Sequence, residues 1–228
     1  MVLDPSKLDL LCLVNDLYYP TSLCDIGGIW GVDGGYGIYA KTVLGIEDVR
    51  IVDSHWTDTA IQSCNESGVK IVDSFIDQYL HTNKLKNIDC VCLYHFLLHQ
   101  VSPDWREILR QLSFSVKIVL INNPQWILDK AGFRLTDLGP NEYFSFVPHS
   151  ESEENYRDLY TAPLEIDPLH KKPRRDLHHF WQWAITNNDL ICWMDSLGYD
   201  LKYIRPSTVW SHNKHFQDYG FIFYNTRM

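Results

Sequence analysis

Short apolar runs alternate with helix-like segments through the first half of the chain. Five runs have the length and apolar character of buried strands, at residues 23–25, 49–52, 69–72, 88–93 and 116–121. Residues 36–44 and 55–65, which lie between them, predict helices. Strands separated by helices form parallel sheets, because each crossover returns the chain to the same end of the sheet. The pattern predicts an α/β fold.

Helix start signals continue the pattern on both sides of the chain's midpoint. Ser102-Pro103-Asp104 predicts a helix capped by Ser102, with proline in its first turn. The apolar stripe of that helix follows at helical spacing, as Trp105, Ile108, Leu109 and Leu112. Thr186-Asn-Asn-Asp189 resembles a capping box and predicts a helix that runs to about Leu197. Two final strands are expected at residues 199–204 and 219–224.

The strand–helix alternation stops after Asn122. Residues 133–183 contain repeated prolines and show no regular period, but they are rich in aromatic side chains. A long irregular segment in a compact domain is usually functional or disordered, and the aromatic content argues against disorder. We therefore predict one domain over residues 1–228, in which 133–183 is an insertion that covers a substrate.

Composition narrows the class of protein. Twenty basic and 29 acidic residues give a formal charge of -9, which makes nucleic acid an unlikely partner. The N-terminus lacks the basic start of a signal peptide, and no apolar run is long enough to cross a bilayer. Six cysteines form no CxxC pair, and Cys90 and Cys92 would share one strand face as small apolar filling. We expect a cytoplasmic protein that does not bind a membrane; its oligomeric state is not predicted.

Glycines follow the first strand directly. Asp25 ends that strand, and Gly27, Gly28 and Gly31 come next. Glycine lets a backbone approach a ligand closely. Asp53, at the end of the second strand, is placed to accept hydrogen bonds from the two hydroxyls of a ribose. Strand, glycine turn and helix together predict a nucleotide-type ligand at the sheet edge.

Four segments resemble motifs of the class I S-adenosylmethionine-dependent methyltransferases. They are Asp25-Ile-Gly-Gly-Ile-Trp-Gly31, Asp53, Val69-Lys-Ile-Val-Asp73-Ser-Phe75 and the stretch from Cys92 to Trp105. Ile29 stands where that family's middle glycine is expected. The resemblance implies a Rossmann-like, seven-stranded, mostly parallel sheet with helices on both faces and an antiparallel C-terminal hairpin. It also implies transfer of a methyl group from S-adenosylmethionine to a small molecule, by O- or N-methylation.

The resemblance extends to individual residues. It implies a cofactor site formed by Asp25, Gly27, Gly28, Gly31, Asp53, Ser54, Asp73, Ser74, Phe75, Tyr94 and His95. Substrate contacts are expected from Tyr143, Trp181 and Trp183 in the insertion. If the acceptor is a hydroxyl, a base must take its proton, and histidine titrates near neutrality. We predict that base to be one of His95, His178 and His179.

Three other interpretations remain open. Gly35-Tyr-Gly-Ile-Tyr-Ala40 matches a dinucleotide-binding fingerprint, although it does not follow the strand directly. The alternatives from the resemblance are a relative that binds S-adenosylmethionine without turnover and an RNA methyltransferase. His95 and His99 would share a helix face and could hold a metal ion. Because the sequence offers no third ligand near them, we expect no metal.

Overall fold

The computed structural model describes residues 2–82, 85–128, 131–209 and 214–228. Within these ranges the helices are α1 (Pro5–Tyr18), α2 (Gly35–Thr42), α3 (Asp58–Ser67), α4 (Ile76–Leu80), α5 (Trp105–Leu112), α6 (Pro140–Phe146) and α7 (Asn187–Ser196). The strands are β1 (Ser22–Ile26), β2 (Asp48–Asp53), β3 (Lys70–Asp73), β4 (Cys90–Tyr94), β5 (Ile118–Trp126), β6 (Phe133–Arg134), β7 (Trp183–Ala184), β8 (Tyr199–Val209) and β9 (Phe216–Asn225). None of the described helices combines the length and apolar character needed to cross a bilayer.

Seven strands form one sheet in the order β3-β2-β1-β4-β5-β9-β8. The strands from β1 to β5 are parallel to their neighbours, so their carboxyl ends meet at one edge. Strand β9 runs antiparallel to β5, and β8 runs antiparallel to β9. The predicted sheet and its C-terminal hairpin are confirmed.

Alternate residues of the central strands supply two separate cores. One face packs against α4, α5 and α7 and contains Val91, Leu93 and Ile121. The other face packs against α1, α2 and α3 and contains Cys90 and Cys92. Both cysteines are buried on the same face, as their spacing predicts. Helices therefore cover both faces of the sheet, as expected for a parallel sheet.

Helix caps agree with the sequence in one case and differ in another. Thr186 caps α7 by accepting a hydrogen bond from the Asp189 backbone at 3.0 Å. The predicted Ser102 cap is wrong, because the carboxylate of Asp104 caps α5 by accepting from the Glu107 amide at 2.9 Å. Similarly, α3 begins at Asp58 rather than at residue 55, because the Thr57 hydroxyl accepts from the Ala60 amide.

Helix α1 is absent from the predicted pattern, and strand β5 is longer than the pattern indicates. Helix α1 precedes the sheet, and its Leu10, Leu11 and Val14 are buried against it. Strand β5 continues past Asn122 to Trp126, because β9 pairs with it along its whole length. The antiparallel partner is remote in sequence, so the local pattern does not indicate this extension.

The insertion has an apolar core of its own. It contains α6 and a small two-stranded sheet of β6 and β7 between irregular stretches. Leu135, Tyr143, Tyr156 and Phe180 are buried together there, beside Trp126 at the end of β5. The segment is thus anchored to the carboxyl edge of the sheet.

Candidate functional site

A cavity of about 650 Å³ lies at the carboxyl ends of β1, β2 and β4. Its size falls within the range of roughly 300–1,000 Å³ that is usual for small-molecule sites. The loops after these strands form one side, and residues of the insertion form the other. Ligands of open α/β sheets bind at this edge, so the cavity is the candidate site.

The glycine loop after β1 requires glycine at two consecutive positions. Gly27 has a φ of +77°, and a Cβ there would lie 2.6 Å from the ring of Phe96. A Cβ at Gly28 would lie 2.3 Å from the carboxylate of Asp25. No side chain fits either position, so the Gly27-Gly28 pair follows from the local geometry of this loop. Gly31 has a φ of +70° and open space where its Cβ would be.

Asp25 is a buried carboxyl group beneath the glycine loop. Its side chain is 1% exposed, and no hydrogen bond reaches Oδ2 among the described residues. Burial raises the pKa of Asp25 to about 7, the charge of Asp53 adds to the rise, and Lys7 opposes it. The pKa of Lys7 is lowered, mainly by burial. The pair gives this end of the cavity one acidic and one basic group.

Asp53 connects the end of β2 to the glycine loop. Its Oδ2 accepts from the Ile29 amide at 3.1 Å, and its Oδ1 accepts from the His55 amide at 3.0 Å. These bonds hold the loop in place and keep the carboxylate at the cavity wall. Asp53 does not cap α3, whose cap is Thr57.

His95 leaves β4 in a left-handed conformation, with a φ of 51°. Its Nε2 lies 3.1 Å from Oδ2 of Asp218, which is on β9 and has a side chain only 3% exposed. A carboxylate in this position fixes the orientation of an imidazole and stabilises its protonated form. The structure thus forms a histidine–carboxylate dyad at the cavity wall.

Histidines are concentrated around the cavity. Six of those described line it: His55, His95, His99, His149, His178 and His179. The Nδ1 of His99 donates to the Phe180 carbonyl at 2.7 Å, and burial lowers its pKa to about 4. Burial and neighbouring histidines lower the pKa of His178 to about 3. Both rings are therefore neutral at physiological pH.

Most of the predicted site residues meet at this cavity. Its walls include Asp25, Gly27, Gly28, Gly31, Asp53, Ser54, Ser74, Phe75, Tyr94, His95, His178, His179 and Trp181. They lie at strand ends or in the insertion, where the resemblance and the sequence pattern place them.

Three predicted residues lie outside the cavity wall. Asp73 is exposed at the end of β3, next to Asp53 in the strand register. The indole of Trp183 donates to the Gln100 carbonyl at 2.7 Å. Tyr143 is fully buried, and its hydroxyl donates to the Trp181 carbonyl at 3.1 Å. These contacts give Trp183 and Tyr143 supporting positions behind the wall.

The glycines of the Gly35–Ala40 motif lie away from the cavity, and the side chains of His95 and His99 make separate hydrogen bonds. Gly35 and Gly37 belong to α2 and do not line the cavity, and Gly37 allows close packing on Ile51. The Gly35–Ala40 match is thus part of a helix packed on the sheet. His95 and His99 bind different partners, Asp218 and the Phe180 carbonyl.

Lys7, Asp218 and His99 lie at or beside the cavity and are not among the predicted site residues. Lys7 comes from α1, whose approach to the sheet edge had no local signal. Asp218 lies on β9, and only the pairing of β9 with β5 brings it to His95. His99 was considered only as a metal ligand. The regular His95-x-x-x-His99 spacing gave no indication of their separate partners.

Solved structures share this fold over nearly the whole chain. The Burkholderia thailandensis 1,6-didemethyltoxoflavin-N1-methyltransferase, with bound 1,6-didemethyltoxoflavin and S-adenosylhomocysteine, matches 98% of this chain and 79% of its own. That match has a TM-score of 0.59 and 9% identity. The mitomycin 7-O-methyltransferase MmcR matches 97% of this chain and 54% of its own, with a TM-score of 0.56 and 12% identity. The N-terminal domain of EvdMO1 with S-adenosylhomocysteine bound matches 99% and 82%, with a TM-score of 0.55 and 10% identity.

Sequence comparison gives no corresponding relative: no protein-family model and no curated protein matches the chain. The structural matches, at identities near 10%, establish the fold. This chain has the fold of the class I S-adenosylmethionine-dependent methyltransferases. Its structural neighbours include methyltransferases named for small-molecule acceptors.

Proposed function

We propose that this protein transfers a methyl group from S-adenosylmethionine to an oxygen or nitrogen of a small molecule. The observation that carries the proposal is a single cavity with two different halves. The strand-end loops with their carboxylates form the cofactor half, and the histidine- and aromatic-rich insertion forms the acceptor half. The His95–Asp218 dyad lies at the wall of the same cavity.

The cofactor half offers groups that match each part of S-adenosylmethionine. Asp53, with Ser54 beside it, is placed for the ribose hydroxyls, since a carboxylate accepts from both. Ser74 and the part-exposed ring of Phe75 are placed for the adenine. Lys7 and Asp25 form an opposite-charge pair suited to the carboxylate and ammonium of the amino-acid end.

The acceptor half suits a compact, partly apolar molecule. Trp181 and Tyr156 present aromatic surface to the cavity, and His149 stacks on Tyr156 with ring centroids 4.5 Å apart.

Ion pairs within the chain, in addition to its negative net charge, argue against nucleic acid as the acceptor. In the basic run 171–175, Arg174 pairs with Asp158 and Glu165, and Arg175 pairs with Asp137. These cations are already neutralised within the chain.

The residues would act mainly by positioning and proton transfer. When bound, S-adenosylmethionine supplies a methyl group on a sulfonium, which is already a good leaving group. The glycine loop and the insertion hold the reactants together and exclude water. His95 takes the acceptor's proton, and Asp218 stabilises the resulting imidazolium.

Two measurements test the proposal in order. Isothermal titration with S-adenosylhomocysteine should show one site per chain, and thermal denaturation with the ligand present should show a higher melting temperature, since the ligand binds the folded state. Methyl transfer from labelled S-adenosylmethionine is then measured with panels of phenols, heteroaromatic amines and sugars, and with RNA as a contrast. Absence of binding would contradict the proposal.

The same measurements separate the remaining interpretations. Binding of S-adenosylhomocysteine with no transfer to any panel would favour a relative that binds the cofactor without turnover. Transfer to RNA and to no small molecule would show that the acceptor is RNA. Transfer to a hydroxyl or ring nitrogen of a small molecule supports the proposal.

A further inference from the structure

Three histidines from distant parts of the chain meet at the mouth of the cavity. His55 follows β2, whereas His170 and His178 belong to the insertion. One ring nitrogen from each lies within 4.8 Å of those of the other two. The ring centroids of His170 and His178 are 5.1 Å apart, and those of His55 and His178 are 5.2 Å apart. This grouping is created by the fold, since the sequence separates the three.

A carboxylate orients one of the three rings. Oδ1 of Asp167 lies 2.8 Å from Nδ1 of His170, and it also accepts from the His170 amide at 2.7 Å. Nε2 of His170 is buried, and no hydrogen bond reaches it among the described residues. Similarly, Nδ1 of His55 lies 3.0 Å from the Ser54 hydroxyl. Both rings are thus held at one nitrogen, with Nε2 as their other ligand atom.

This arrangement has the features of a transition-metal site. Histidines that bind metals usually present their second nitrogen to a carboxylate, a carbonyl or water, which fixes the ring and its tautomer. Imidazole suits zinc and neighbouring first-row ions, whereas magnesium and calcium prefer oxygen ligands. Three protein ligands with a fourth position for water or substrate is a recurrent zinc geometry.

We propose that His55, His170 and His178 bind one Zn²⁺-type ion at the cavity mouth. Zinc–imidazole bonds of about 2.0–2.1 Å place the three nitrogens roughly 3.4 Å apart in a tetrahedral site. The proposal is independent of methyl transfer, because it depends on the histidines alone.

A bound ion would fasten the insertion to the cofactor side of the cavity. His55 comes two residues after Asp53, the proposed ribose ligand, and Ser54 between them lines the cavity. His170 and His178 bracket the part of the insertion that carries the basic run. Coordination would therefore cross-link the two halves at their open end.

Titration of the metal-free, untagged chain with Zn²⁺ tests the site directly. We expect one Zn²⁺ per chain by calorimetry and elemental analysis, and little binding of Mg²⁺. Co²⁺ should give the intense visible bands of a tetrahedral complex. His170→Asn and His178→Asn should each weaken Zn²⁺ binding by roughly 100-fold or more. Asp167→Asn should weaken it by roughly 10- to 100-fold, the usual effect of losing a group that orients a ligand.

Controls separate this site from general histidine binding and from misfolding. His81→Gln removes an exposed histidine outside the cluster and should leave Zn²⁺ affinity unchanged. Circular dichroism and the melting temperature without metal, measured on each variant, report whether the chain remains folded. Zn²⁺ affinity that is the same in His170→Asn, His178→Asn and the parent would overturn the proposal. So would an octahedral Co²⁺ spectrum in the parent protein.

Discussion

The two halves of the cavity are built in different ways. The cofactor half comes from short loops between regular strands and helices, and its glycines are fixed by contacts within those loops. The acceptor half comes from an irregular insertion with a separate apolar core. Regular strands and helices place the side chains of the cofactor half next to strand ends, which a local sequence pattern reveals. The insertion places its side chains through contacts between residues that are distant in sequence.

The halves also differ in how burial acts on their charge. In the cofactor half burial raises the pKa of the Asp25 carboxyl, and in the acceptor half it lowers the pKa of His178. Both shifts favour the neutral form, because transfer of a charge out of water is unfavourable. Burial thus favours proton binding by Asp25 and proton release by His178, and it acts on Lys7 in the cofactor half as it does on the histidine.

The largest effect on methyl transfer is expected from substitution of His95, the proposed base of the His95–Asp218 dyad. His95→Gln should lower methyl transfer to a hydroxyl acceptor by roughly 100-fold or more, the usual contribution of a general base. Asp218→Asn should lower it by a smaller factor and shift the pH–rate profile. Affinity for S-adenosylhomocysteine should change little in either variant, as measured by calorimetry.

A second histidine–carboxylate pair in the insertion provides the matched control. His149 Nδ1 lies 2.9 Å from Glu153 Oε2, but both side chains are more exposed than Asp218. His149→Gln should retain most of the turnover. If His149→Gln abolished turnover and His95→Gln did not, the base would belong to the insertion half.

The residues that line the cofactor half carry more local signal in the sequence than those of the acceptor half, and the reason is physical. Asp25, Gly27, Gly28 and Asp53 each lie next to a strand end, so local periodicity locates them. Asp218 reaches His95 only because β9 pairs with β5, and the grouping of His55 with His170 depends on the packing of the insertion. Such contacts join residues with no local relation, and a single sequence carries no signal for them.

The next effect concerns stability and the carboxyl of Asp25. Its pKa is about 7 in the folded protein and near 3.8 when unfolded, so between these values only the folded state binds the proton. Stability is therefore greatest at low pH and falls as pH rises toward 7. Asp25→Asn should remove roughly 3 kcal/mol of this decline between pH 5 and pH 8. Urea denaturation at the two pH values measures it, and parallel profiles for parent and variant would contradict the assignment.

His99 should act in the opposite direction over the same range. Its pKa is about 4 when folded and near 6.5 when unfolded, so on acidification the unfolded state takes up the proton first. Stability falls as pH drops below 6.5, and His99→Asn should remove at most about 2 kcal/mol of that loss by pH 5. The same denaturation series measures this. If the pH dependence of stability changed in the same direction in His99→Asn as in Asp25→Asn, the assignment to His99 would be contradicted.

Asp53 tests the cofactor half by affinity. Asp53→Ala should weaken S-adenosylhomocysteine binding by roughly 10- to 100-fold, since a charged hydrogen-bonding group is worth about 1.5–3 kcal/mol. Part of that loss would come from release of the glycine loop, which Asp53 holds through the Ile29 amide. Asp53→Asn retains an acceptor oxygen and separates the two contributions. Unchanged affinity in both variants would remove Asp53 from the ribose site.

The smallest effect distinguishes packing from substrate contact within the insertion. Tyr143 was predicted to contact substrate, but its hydroxyl donates to the Trp181 carbonyl behind the cavity wall. Tyr143→Phe should therefore cost about 1 kcal/mol of stability, measured by urea denaturation, and leave KM for the acceptor unchanged. Tyr160→Phe is the matched control, because its buried hydroxyl has no hydrogen-bond partner among the described residues. Loss of that hydroxyl should be neutral or slightly stabilising. If Tyr143→Phe raised KM without a change in stability, Tyr143 would reach the acceptor directly, and the insertion would contribute chemistry from its core as well as from its surface.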